Sequence, residues 1–267
     1  MRIKAYLTLM RASIIEFLQF RLSAFVMLLG NIIYLVVIYN LWRAIYASVD
    51  GAVINGMSFN DTMIYLVLAT AQFTFMEAYL VWEMGRAIQS GKIVNDLLKP
   101  VAYDKYLLFS INGGNVCAFV VTFIPTFIIV QIITGWAIPM GINLVYYLIA
   151  AIIGSLINFI IDFFVGTVCL YTQSIWGINI MKQVIVLFFS GATVPLAFFP
   201  DGLYKVAKFL PFHAIYDTPL QFLTNSSLTT GESLWMIGQQ LLWMIGMYVA
   251  AKLFWKVSER VITVNGG

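Results

Sequence analysis

The sequence predicts an all-α integral membrane protein with six transmembrane helices, and three observations predict it. Of its 267 residues 61% are hydrophobic and 10% charged, against roughly 45–50% apolar and 25% charged for a soluble domain. Apolar runs of about 20 residues, the length that crosses a bilayer, recur along the chain between short polar connections. Lys and Arg concentrate on alternate connections, as the retention of basic loops in the cytoplasm requires. One membrane domain, residues 1–267, accounts for the whole length. The excess of 15 Lys and Arg over 12 Asp and Glu is mild, and no basic patch interleaved with aromatics is present, so no nucleic-acid partner is expected. Cys117 and Cys169 lie inside apolar runs, where a thiol acts as a small packing residue.

In residues 1–21, Lys4, Thr8, Arg11, Glu16 and Gln19 recur at near-helical spacing while Ile3, Leu7, Met10, Ile14, Phe17 and Leu18 fall largely elsewhere. This predicts an amphipathic helix lying in the interface. Its polar interruptions do not fit a cleavable signal. The first span covers 22–41, with Trp42 and Tyr46 marking the far headgroups. A polar stretch holding Asp50, Gly51, Asn55, Gly56 and Asn60 leads into the second, 62–82, which Glu77 interrupts. A longer polar loop, 83–106, precedes the third, 107–134. Gly135, Pro139 and Gly141 form the next turn, and the fourth span, 144–170, contains Asp162.

The segment 171–182 reads as a short polar connection. The fifth span, 183–199, is shorter than its neighbours and broken by Gly191 and Pro195. Residues 200–231, with Pro200, Pro211 and Pro219, are too interrupted to span and too apolar to float, which predicts short re-entrant helices at the outer interface. The sixth span covers 234–254, followed by Lys256, Glu259 and Arg260. On this layout twelve basic residues share the side of the N-terminus, against Arg43, Lys205 and Lys208 on the other, so both termini are expected in the cytoplasm.

Few residues promise chemistry. In the loop EMGRAIQSGKIVNDLLKPVAYDKY, Gly91 ends one helical piece, Ile93, Val94, Leu97 and Leu98 give the next an apolar face, and Pro100 stops it. Spacing leaves two readings open, a solvated interfacial helix or a helix that docks on a partner. Glu77 and Asp162 are carboxylates inside spans, where an ionisable group is expensive and functional by default. Each also reads as a group near a span end, or as one protonated and hydrogen-bonded to a neighbouring helix, and two acids without an intramembrane Lys, Arg or His make a thin proton relay. His213, the lone histidine, sits outside the spans with Asp217 at helical spacing, too little for a His-rich metal site. No nucleophile elbow, zincin helix or phosphate-cradling loop occurs, so the chain is not expected to be an enzyme or to bind a nucleotide or metal itself. Gly113, Gly114, Gly154, Ser155, Gly166 and Thr167 are small residues of the kind that let membrane helices approach closely.

Two segments resemble a family, the permease subunits of type-2 ATP-binding-cassette exporters, in particular a bacterial six-span branch. One is EMGRAIQSGKIVNDLLKPVAYDKYLL at 83–108. The other is FFSGATVPLAFFPDGLYKVAKFLPFHAIYDTP at 188–219, with Ser190-Gly191, Pro195 inside span five, Pro200 after it, then Leu210-Pro211-Phe212 and Pro219. The amphipathic start and the topology agree over nearly the whole chain. The resemblance implies that Gln89, Ser90, Gly91, Lys92, Ile93, Val94, Asn95, Asp96, Leu97 and Leu98, closed by Pro100, form a coupling helix in a groove of a separate ATPase. There Ile93, Val94, Leu97 and Leu98 would pack, and Lys92, Asp96 and Lys99 would ring the contact. It further implies an interfacial elbow at 1–21 and an extracellular helical hairpin at 200–231 that gates the pathway. The complex would hold two ATPase subunits carrying ATP and Mg, and a second permease, identical or a sister, in a bacterial cytoplasmic membrane among its lipids. An amphiphile, drug, lipid or small peptide suits an apolar seam as exported substrate. The alternative is a stand-alone proton-coupled transporter using Glu77 and Asp162; a third class is a membrane anchor or sensor that only recruits a complex.

Overall fold

Where the apolar runs are longest the chain forms long helices, and where Gly, Pro and Asn cluster it turns. The computed structural model describes residues 2–49, 53–76, 79–136, 138, 140–172 and 175–262. The helices are α1 (Arg2–Gln19), α2 (Arg21–Ala47), α3 (Phe59–Met76), α4 (Leu80–Gln89), α5 (Ile93–Leu97), α6 (Tyr103–Ile133), α7 (Ile142–Thr172), α8 (Trp176–Phe189), α9 (Asp201–Phe209), α10 (Asp217–Thr224) and α11 (Thr230–Ser258). Among the described residues five helices are long and apolar enough to cross a membrane: Leu28–Ala47, Phe59–Gln89, Tyr103–Ile133, Ile142–Thr172 and Thr230–Val261.

The fifth expected span is corrected. Helix α8 runs Trp176–Phe189 rather than 183–199, and the connection before it shrinks from 171–182 to the few residues after Thr172. Its buried stripe is Ile175, Asn179, Lys182, Val186 and Ser190. Polar side chains that read as a loop are therefore the inward face of a helix. The helix ends where Gly191 takes φ +81°, a left-handed turn that disfavours side chains.

The all-α expectation also missed a small hairpin. Val53–Ile54 (β1) and Met57–Ser58 (β2) pair antiparallel around Asn55 and Gly56, both at positive φ. The Asn-Gly pair is the sequence signal for such a turn. Asp61 then accepts from Ser58 N at 3.1 Å and from Ser58 Oγ at 2.7 Å, starting α3. Helix α11 begins with a capping box, Thr229 and Glu232 each satisfying the other's backbone N–H.

Helices α3 and α7 are mostly buried, while α2 and α11 are covered little. Two apolar clusters are stacked along them. The larger joins α3, the later half of α6, the earlier half of α7 and residues 214–223; the smaller joins α4, α5, the start of α6, the later half of α7 and the end of α11. Helix α1 lies along α6, with Tyr6 stacked on Phe109 at 5.1 Å and Ser13 Oγ accepting from Gly114 N at 2.9 Å. The fit there requires Gly113, since a Cβ at that position would lie 2.4 Å from the Met10 carbonyl oxygen.

Candidate functional site

The first group of site residues is the turn between α4 and α6. Helix α4 closes on Gly91, whose φ is +73°, and α5 follows immediately. Ile93 is 2% exposed and packs into the smaller cluster, with Val94 and Leu97 half-buried against it. The expected common face is thus split: Leu98 points the other way and is 78% exposed. Gln89, Ser90, Gly91, Lys92, Asn95 and Pro100 are exposed with it. Asp96, expected on the rim, is buried and holds Lys99 at 2.7 Å, and the Lys99 ammonium stands 3.8 Å from the Tyr106 ring centroid. Burial alone would lower the Lys99 pKa, but Asp96 and Tyr106 more than offset it and raise it above an ordinary lysine. The turn is a knuckle rooted in the bundle by Ile93 and braced within itself by the Asp96–Lys99 pair, with one large apolar side chain, Leu98, at its surface.

The second group is the segment from α8 to α10. Ser190 is fully buried and its carbonyl accepts from Asp217 N at 3.0 Å. Pro195 and Pro200 stand just before a single 3₁₀ turn and before α9, and Leu210, Pro211 and Phe212 open a second 3₁₀ turn. Pro219 is buried in α10. Asp217 accepts from Lys208 at 2.5 Å and from Gln221 at 2.8 Å, while His213 Nδ1 meets the Leu210 carbonyl at 2.6 Å, so Asp217 and His213 serve different partners.

The carbonyls of Ala214 and Ile215, exposed by the end of the 3₁₀ turn, are met by side chains of the long helices. Gln72 Nε2 donates to Ile215 O at 2.9 Å, and Gln240 Nε2 to Ala214 O at 2.7 Å. This tip touches α7 at Gly154, where a Cβ would lie 3.0 Å from Ile215 O, about 18 Å along α7 from its start. Sequence reasoning missed both glutamines; their only signal was an amide inside an apolar run.

Glu77 lies outside the described residues. Asp162 is fully buried and is neither at a span end nor without a cation: Lys182 Nζ, from the segment read as a connection, approaches Asp162 Oδ1 at 2.6 Å, with the lysine side chain 9% exposed. The pair ties α7 to α8. One turn away Asn158 Nδ2 donates to Met76 O at 2.7 Å, where α3 ends before α4.

A lateral cleft of about 320 Å³ opens between α2, α3 and the end of α8. Asn31, Thr70 and Thr193 place polar groups in a wall otherwise made by Tyr34, Phe73 and Leu187.

A family model described as ABC-2 family transporter protein matches residues 25–266. The chain belongs to the ABC-2 transporter family. No curated protein matches it. As an ABC-2 permease it is a multi-pass membrane component of an ATP-binding-cassette transporter and works with an ATPase partner. The family match covers both segments that carried the resemblance, and it favours this reading over a stand-alone proton-coupled carrier. The permease family supplies the membrane path of transport rather than a catalytic centre.

Proposed function

We propose that the permease forms, with a second copy or a sister subunit, the pathway of an ATP-driven exporter for an amphiphilic small molecule, lipid, drug or peptide. Two ATPase subunits would drive it from the cytoplasmic side of a bacterial membrane. The observation that carries the reading is the split knuckle between α4 and α6. Ile93 roots it in the bundle while Leu98 offers an exposed apolar contact, so a push on the loop is delivered to α4 and α6 rather than absorbed by a soft turn. In this arrangement α1 is the interfacial elbow, and both termini are cytoplasmic.

Helix α8, 14 residues and thus about 21 Å long, falls short of a bilayer core of about 30 Å. The segment 190–199 completes its crossing. Residues 200–225 form the re-entrant hairpin that closes the outer end. Non-helical backbone is tolerated at membrane depth only where its polar groups are satisfied within the protein, which is what Gln72 and Gln240 supply. The cleft between α2, α3 and α8 is the substrate's path, its few polar groups suited to an amphiphile and its open side toward the second permease.

The test is co-purification of the ATPase with two variants. Leu98→Glu removes an apolar contact worth about 2 kcal/mol and should weaken association roughly thirtyfold while the permease remains folded. Ile93→Glu should instead lower the yield of folded permease, because it places a charge in the bundle. Full ATPase recovery with Leu98→Glu would overturn the coupling assignment.

A further inference from the structure

A separate cleft shares no lining residue with the proposed pathway. Near the start of α6 the helices α6, α7 and α11 leave a slot of about 250 Å³, walled by Leu108, Leu156, Ile160 and Ile245 and ending at Lys105 and Tyr248. It opens outward, Ile245 being 58% exposed on a helix side that also shows Leu242, Val249 and Leu253 to the surroundings. In a membrane-spanning bundle that side faces acyl chains. Its lining covers about one turn of each helix, 104–108, 156–160 and 244–248, a depth of about 6 Å, so the slot takes the part of a chain nearest its headgroup.

The polar end decides the headgroup. Asp104, the one carboxylate lining the slot, is already neutralised, holding Lys252 Nζ at 2.8 Å and accepting from Tyr248 OH at 3.1 Å. Lys105 beside it is exposed and has no ion pair among the described residues. The mouth therefore carries one uncompensated ammonium directly above an apolar groove. We propose that the slot binds one acyl chain of an anionic phospholipid, in the leaflet at the α5 end of the bundle, with its phosphate on Lys105. Water is absent from the hydrocarbon region, so a lipid-facing groove is filled by a chain, and a basic side chain at the surface selects the anionic headgroup.

Native mass spectrometry of the full-length chain in mild detergent tests this, with phosphatidylglycerol and phosphatidylcholine of identical acyl chains as probes at equal concentration. Phosphatidylglycerol should be retained about fivefold better. Lys105→Gln should erase that preference while keeping lipid adducts, whereas Lys256→Gln, at an exposed residue outside the slot, should leave it intact. Ile245→Trp, at an already exposed position, should fill the groove and lower retention of both lipids. Equal retention by the wild-type chain, a preference that survives Lys105→Gln, or undiminished adducts with Ile245→Trp would each overturn the proposal.

Discussion

Asp162 and Lys182 put two opposite charges where neither is tolerated alone. A buried pair contributes little against a well-packed apolar replacement, but breaking it by removing one partner leaves an uncompensated charge and costs about 3–5 kcal/mol. Asp162→Leu or Lys182→Met should each lower the thermal stability and folded yield of the detergent-purified permease by that order, and the double variant should recover most of the loss. Equal damage in the singles and the double would mean that the pair does not act as a unit. The carboxylate was legible in the sequence as an anomaly inside a span, yet its partner was not. Lys182 falls at the end of 171–182, a segment that reads as a short polar connection. The stripe Ile175, Asn179, Lys182, Val186 and Ser190 has helical spacing, but a hydropathy reading weighs each residue's polarity and not the direction in which it points.

Among the elements, the hairpin between α8 and α11 shows the clearest division between what a sequence displays and what only packing reveals. Pro200, Pro211 and Pro219 announce short broken helices, because proline removes a donor and stops a run. They give no hint of what satisfies the carbonyls thereby released. Gln72 and Gln240 do so from helices distant in sequence, and nothing local marks an amide as a cap rather than a tolerated polar residue. Gln240→Leu should leave Ala214 O without its partner and destabilise the hairpin by about 1–3 kcal/mol, seen as faster proteolysis within 200–225 with the long helices still protected. Gly154→Val should act on the same tip by pushing it off α7, since a single Cβ already meets Ile215 O at 3.0 Å and Ala214 O at 3.1 Å. Proteolysis unchanged in both variants would show that the tip is held by other contacts. The long apolar helices, by contrast, were legible to within a few residues at most ends, because an apolar run of about 20 residues marks each of them.

For the whole molecule, the uneven burial of the long helices is itself informative. Helix α2 packs mainly on α3 and is otherwise scarcely covered, with Ile33 66% and Val37 60% exposed, and the lateral cleft opens beside it. If that side seats the second permease, a cysteine introduced at Val37 should cross-link two copies, or this chain to its sister, inside native membranes, and a cysteine at Leu242 on α11 should not. The same geometry separates the path from the frame. Among the described residues Thr70 donates only to the Leu66 carbonyl of its own helix, at 2.8 Å, so Thr70→Trp sacrifices little structure while it places an indole in the cleft. It should reduce substrate-stimulated ATP hydrolysis and export by at least tenfold, with ATPase association and folding retained, whereas a tryptophan at exposed Leu242 should change neither. Export that persists with the cleft filled would move the pathway away from α2 and α3, and with it the side on which the second permease must sit.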